Sequence, residues 1–264
     1  MNTEIIKSEF WTSAMVKRYK SLPTDIHEAT FHCPEHGPIE PHGYEVDGVM
    51  HYARRDCPCQ KELREKKEQE KRHTQWLETK AKDTYSWLGE RWADMSLREK
   101  TFENFKAERQ REGYRFAQVF VRKCSGTFIL YGTFGTGKTH LLAAICNEAL
   151  LKHEKTSLFT TAPELFAAIQ QRIARHEEYY DLVERASKTP LLVLDDIDKS
   201  KWTEFREEIY FAIIDKRANR GLPTAISTNR LDSLADYVGG AVCSRLQIGQ
   251  IAIEMVGNDF RKEL

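Results

Sequence analysis

No charge is in surplus in this sequence: 40 Lys and Arg are matched by 40 Asp and Glu among 264 residues. Whole-chain electrostatics therefore gives no pull toward nucleic acid, and any such contact must come from a local patch. No apolar run approaches the ~20 residues that a membrane-spanning helix needs. The opening stretch MNTEIIKSEFW carries acids and has no apolar centre, so it does not read as a secretory signal. Cysteines number only six, and Cys124, Cys146 and Cys243 stand far apart, which excludes a disulfide framework in a chain of this length. Internal repeats are also absent. These absences predict a cytoplasmic protein with reduced thiols and no membrane partner.

What is present is enough apolar sequence for a core, 41% of residues, and a length that suggests one full domain plus a smaller module. Trp11, Met15, Tyr19 and Leu22 recur at near-helical spacing until Pro23 stops the pattern. Residues 31–59 are rich in Pro, Gly, His and Cys and read as loop. From KELREKKEQEKRH (61–73) onward a charged helix is predicted, with Leu77, Ala81, Tyr85, Leu88 and Trp92 on one stripe. This divides the chain into an N-terminal module (1–60), a linker helix (61–94) and a larger domain (95–264).

In the larger domain apolar runs alternate with helical ones. FILYG (128–132), SLFTT (157–161), LLVLDD (191–196), TAISTN (224–229) and QIAIEM (250–255) read as five strands. Between them, THLLAAICNEALL (139–151) is helical, and so is TAPELFAAIQQRI (161–173), where Thr161 and Glu164 have capping-box spacing and Pro163 sits in the first turn. A further helix places Trp202, Phe205, Ile209 and Ile213 on one face. The alternation predicts an α/β fold, a five-stranded parallel sheet covered by helices on both faces.

GTFGTGKT (132–139) fits G-x-x-x-x-G-K-[ST], with a strand before it and a helix after it. Glycines let successive backbone N–H groups turn toward phosphates, and the helix brings its positive N-terminus to the same place. The loop Gly132, Thr133, Phe134, Gly135, Thr136 and Gly137, with Lys138, Thr139 and His140, is thus the expected ATP cradle. Lys138 supplies charge to the β and γ phosphates and Thr139 a ligand to Mg²⁺. In LLVLDDID (191–198), Asp195 ends an apolar strand within reach of the same Mg²⁺, and Asp196 is placed to orient the attacking water. Asn229 ends the STN strand and would join them if that strand is their neighbour. Arg245 in CSRLQ (243–247) is a candidate finger, supplied to a neighbouring subunit.

TFENF (101–105), GTFGTGKTHLLAAI, LLVLDDID, STN and SRL together resemble the bacterial helicase loaders of the DnaC/DnaI type, a branch of the AAA+ ATPases. The resemblance is firm over residues 95–264 and looser over the Cys/His segment. It implies a P-loop AAA+ core that assembles with ATP into a ring or spiral. It also implies a hexameric replicative helicase as partner, gripped by the N-terminal module and placed on single-stranded DNA. IstB-type transposition ATPases share the core motifs, and an ATP-gated adaptor with little hydrolysis is a third reading. Asp196 stands where many AAA+ proteins have Glu, one methylene longer, so slow ATPase activity, stimulated by DNA or partner, is expected. Only GNDFRKEL follows the fifth strand, which implies a truncated helical lid; Arg261 is not assigned a sensor role.

Two more groups stand out. Cys33 and His36, with Cys57 and Cys59, offer four ligands soft enough for Zn²⁺. His32, His42 and His51 compete for a corner, and the C-x-C pair could instead be redox-active. A small module short of apolar residues would gain folding free energy from such a metal. Arg172, Arg175 and Lys188 lie between the second and third strands, where loader-like proteins line a DNA-facing channel. Glu177, Glu178, Asp181 and Glu184 dilute their charge.

Overall fold

The computed structural model describes residues 12–260 and the backbone of residues 5–7; Trp11 and Arg261 lie outside the described residues. Packing divides the chain into two units, Met1–Thr74 and Gln75–Leu264.

The first unit begins with strand β1 (Ile5–Lys7) and helices α1 (Ser13–Lys20) and α2 (Ile26–Ala29). Thr12 and Asp25 cap the two helices, their side chains accepting the N–H of Met15 and His27. Where composition reads as loop, the structure has four short strands: β2 (Phe31–Cys33), β3 (Gly37–Ile39), β4 (His42–Val46) and β5 (Val49–Ala53). β2 and β3 form one hairpin, β4 and β5 a second, and β1 runs parallel to β4. The second hairpin turns at Asp47-Gly48, both at positive φ (50° and 78°), the pairing that a two-residue turn between twisted strands requires. Helix α3 (Pro58–Ser86) starts here and continues past the unit boundary. No described helix is long and apolar enough to cross a membrane.

The second unit takes the end of α3 into its core. Tyr85 and Trp87 are buried, so packing starts this unit well before residue 95. Then follow α4 (Arg111–Lys123), β6 (Thr127–Tyr131), α5 (Lys138–His153), β7 (Ser157–Thr161), α6 (Ala162–Ala174), α7 (Tyr180–Lys188) and β8 (Leu191–Asp195). The last elements are α8 (Glu204–Asn219), β9 (Thr224–Thr228), α9 (Ala235–Val238), α10 (Gly240–Leu246) and β10 (Ile251–Glu254). The sheet is parallel throughout, in the order β10-β6-β9-β8-β7.

The period-2 alternation of the strands sends their side chains into two layers. Phe128, Leu130, Leu191 and Val193 face α4 and α5; Ile129, Leu192, Leu194 and Ile226 face α6, α7 and α8. Every residue of β8 and β9 is buried, which explains the unbroken apolar run LLVL. The capping box at Thr161 and Glu164 is present with both hydrogen bonds. A second expectation fails here. Trp202 is not on the buried face of α8: Thr203 caps the helix behind it, and Trp202 is half exposed, its indole N–H donating to Glu207.

Candidate functional site

The P-loop runs from the end of β6 into the first turn of α5. Gly132 has φ 121°, and a Cβ there would lie 2.4 Å from the carbonyl oxygen of Met255. Gly137 has φ 92° and touches the ring of Phe105, so a side chain would collide with TFENF. That segment packs on the start of α5: Phe105 stacks on Tyr114, and the Nε2 of His140 lies 2.9 Å from Thr101 O and 3.0 Å from Asn104 Oδ1. Two acceptors at one ring nitrogen place the hydrogen there. Burial lowers the pKa of His140 first of all, which keeps the ring neutral.

Lys138 is 7% exposed, and its ammonium donates to the loop carbonyls of Gly132 (3.0 Å) and Thr133 (2.7 Å). Burial lowers its pKa, opposed by the charges of Asp196, Asp195 and Asp198. The first turn of α5 sets Thr139 against the end of β8: its hydroxyl donates to Asp195 Oδ2 at 2.7 Å. Asp195 is 2% exposed; burial, then the charge of Asp196, pushes its carboxyl up to about 6. A hydroxyl and a carboxylate oxygen are the hard donors Mg²⁺ takes, and a buried carboxylate beside a second one is short of positive charge. The donor set fits the ion.

β9 lies between β6 and β8, so STN is the neighbour of the two acids. Ser227, not singled out in the sequence, holds them together: its hydroxyl donates to Asp195 and accepts the N–H of Asp196 at 2.9 Å. Asp196 has a left-handed backbone, φ 52°. The side-chain amide of Asn229 is buried with neither its oxygen nor its nitrogen hydrogen-bonded. A buried amide of this kind needs partners, and a bound polar ligand would supply them. A cleft of about 360 Å³ joins the loop residues Phe134 to His140 with Asp196 and Asn229. Lys100, Lys199 and Phe260 line it too, none of them singled out in the sequence.

Arg245 does not approach its own P-loop. Its Nε donates to Asp215 Oδ1 at 3.0 Å, and it borders a small cavity with Gly126, Thr127 and Thr224, at the strand ends opposite the loop. Of the three DNA candidates, two are committed to acids nearby. Arg172 pairs with Asp181 and donates to Glu178 O, while Lys188 pairs with Glu184 at 2.5 Å. Arg175 is exposed just past the end of α6.

In the first unit the ligand atoms of Cys33, His36, Cys57 and Cys59 all lie within 4.8 Å of one another. Cys33 and His36 bracket the tight β2–β3 turn; Cys57 and Cys59 open α3, where the N–H of Gln60 faces Cys57 Sγ at 3.4 Å. Cys33 is 3.5 Å from Cys59 and 3.6 Å from His36 Nδ1, close to the ~3.8 Å between sulfurs on a tetrahedral zinc with ~2.3 Å bonds. Cys57 and Cys59 are nearer still, 2.8 Å apart. The hydrogen bond from His36 lowers Cys33 to about 6, whereas hydrogen bonds to Cys57 and Cys33 push Cys59 up to about 12. Sulfurs so close cannot all ionise without a cation, so this set fits a divalent metal. His51 is turned away, its Nδ1 on Leu22 O at 3.1 Å.

Comparison with known proteins agrees with this geometry. A family profile, the bacterial DnaA ATPase domain, matches residues 97–253, more than half of the chain. The replicative helicase loader DnaC of Escherichia coli K12 is 31% identical over 156 residues, which are 56% of this chain and 63% of that one. The chain thus spans less than two thirds of the length of that relative. A crystal structure of DnaI superposes with a TM-score of 0.55 at 25% identity, covering 64% of this chain and 94% of the other. The replication initiator DnaA bound to AMPPCP and single-stranded DNA gives a TM-score of 0.55 at 24% identity, over 61% of this chain and 50% of the other. With the P-loop, the buried Asp195 and the strand order in place, the chain belongs to the bacterial DnaA ATPase-domain family, on the side that resembles the DnaC/DnaI helicase loaders.

Proposed function

We propose that this protein is an ATP-dependent loader that binds a hexameric replicative helicase and places it on single-stranded DNA. The observation that carries the reading is the cleft, where Lys138, Thr139, Asp196 and the unpartnered amide of Asn229 converge, with Asp195 hydrogen-bonded to Thr139. The helicase-loader relatives point the same way.

In this scheme ATP lies along residues 132–139. Its phosphates draw Lys138 off the carbonyls of Gly132 and Thr133 and give Asn229 its missing partner. Thr139 and Asp195 hold Mg²⁺, which supplies charge neutralisation at the phosphates. Asp196 orients the attacking water from a shorter side chain than Glu, so turnover is slow. Arg245, away from its own P-loop, is presented to the P-loop of the next subunit; the Asp215 pair must open for this. Cys33, His36, Cys57 and Cys59 hold one zinc ion, and the unit it braces, residues 1–60, grips the helicase. Residues 61–94 link that module to the ATPase domain.

The test is capture of the host's replicative helicase by the full chain, with and without ATP. ATP-sensitive capture and transfer of helicase to single-stranded DNA are expected. Lys138→Ala should lose nucleotide binding and transfer while keeping its fold. Full helicase transfer by Lys138→Ala would break the scheme.

A further inference from the structure

The cleft holds a lysine that neither the P-loop nor the acidic strand accounts for. After Asp195 the chain makes a single short turn, Ile197–Lys199, in which the N–H of Lys199 donates to Asp196 O at 3.0 Å. That turn brings Lys199 back over the P-loop. Its ammonium lies 4.1 Å from the ring centre of Phe134, the residue between Thr133 and Gly135 of the phosphate cradle. Phe134 is itself 60% exposed, so its ring is not held in the core.

The surroundings give this placement its meaning. The cleft that Lys199 lines also holds Lys138, Asp196 and Asn229. These are the groups suited to the terminal phosphate and its attacking water. Lys199 is also near enough to act electrostatically on Lys138, whose pKa is lowered first by burial and further by Lys199. Three lysines therefore line the cleft, Lys100, Lys138 and Lys199; Lys138 is tied to the loop carbonyls, and Lys199 rests on Phe134 of the cradle. An exposed ring face holds an ammonium more weakly than a phosphate oxygen does.

Resting on the ATPase reading above, we propose that Lys199 is a cis-acting contact to the terminal phosphate, parked on Phe134 until a nucleoside triphosphate draws it across. Its role is to tell triphosphate from diphosphate. Lys138 spans the β and γ positions and serves both nucleotides; Lys199 has a partner only when the third phosphate is present. Its departure also uncovers the Phe134 ring, so the loop surface changes with nucleotide state.

The experiment is titration of the full chain with fluorescently labelled ATP and ADP, using wild type, Lys199→Ala and Lys199→Arg. Thermal unfolding of each variant checks the fold, and the Lys199 side chain is exposed enough to be replaced without opening the core. A lost charge-assisted hydrogen bond predicts about tenfold weaker ATP binding in Lys199→Ala with ADP affinity unchanged. Lys199→Arg should keep most of the ATP preference. Equal loss for both nucleotides, or no loss, in Lys199→Ala overturns this inference alone. A wild type that binds neither nucleotide overturns the ATPase reading and this inference with it.

Discussion

Replacing Asn147 should damage the second unit more than any other single polar change on α5. Asn147 is 9% exposed and serves four partners. Its Oδ1 accepts the hydroxyl of Tyr85 at 2.8 Å; its Nδ2 donates to Leu97 O at 3.0 Å, Lys100 O at 2.7 Å and Arg98 O at 3.3 Å. The Arg98 contact is the longest and adds least. Three good hydrogen bonds at about 1 kcal/mol net each give roughly 3 kcal/mol for Asn147→Ala. In a unit of this size that lowers the thermal midpoint by roughly 6–12 °C. Asn147→Asp keeps the acceptor for Tyr85 but points a carboxylate oxygen at backbone carbonyls, so it should cost at least as much as Ala. Tyr85→Phe removes one hydroxyl and should cost about 1 kcal/mol. Urea unfolding measures this directly, as a lower midpoint at unchanged slope. A loss under about 0.5 kcal/mol for Asn147→Ala, or a milder effect of Asp than of Ala, refutes the hydrogen-bond account.

Arg217 is fully buried, with its guanidinium on Ala186 O and Thr189 O (2.8 Å each), Thr224 Oγ1 (2.9 Å) and Pro223 O. Arg217→Met relieves one buried charge but strands three carbonyls, so it should destabilise by about 3 kcal/mol or more in the same urea experiment. Cys57→Ser should drop zinc from about one per chain to near none by elemental analysis and lower protease resistance of the first unit; a metal-free wild type with that unit intact would sink the zinc proposal. Arg172→Ala with Arg175→Ala should weaken ATP-dependent binding to single-stranded DNA and flatten its salt dependence, measured by fluorescence anisotropy. Unchanged DNA affinity would show that Arg172 serves only its pair with Asp181.

The ATPase core was legible because its signals are local and redundant. GTFGTGKT needs its glycines wherever the loop curls, and LLVL buried on both faces can hardly be anything but a central strand. The capping box at Thr161 was readable for the same reason. What escaped depends on contacts distant in sequence. Arg217 and Asn147 look like ordinary polar positions on helices, and only the folded chain shows oxygens from two other segments closing on each. Lys199 carries no motif; its place follows from the turn after Asp196. The strands of the first unit were missed differently. Asp47-Gly48 between YEV and VMHY is a local hairpin signal, but the His, Pro and Cys content of the segment reads as loop, and composition is the weaker guide there.

The end of α3 joins these points. β7 is an edge of the sheet, and edge strands present unpaired backbone groups that must be covered. Trp87 does part of this, its indole N–H donating to Phe159 O at 2.9 Å. Tyr85, two residues earlier, packs into the other layer and reaches Asn147 on the P-loop helix. Asn147 in turn fixes the carbonyls of Leu97 and Lys100, and both residues line the nucleotide cleft. The last turns of the long helix are therefore part of the ATPase unit, not a tether to it. One continuous set of buried hydrogen bonds runs from the helix end to the cleft wall. Displacing that wall must either strain Asn147 or carry Tyr85 along, and a packed interior favours the second because it resists continuous deformation. Hydrogen exchange at α3 with and without nucleotide reads this out: protection should change at residues 80–86 in the wild type and stay constant in Asn147→Ala. Equal changes in both proteins would show that the contact transmits nothing.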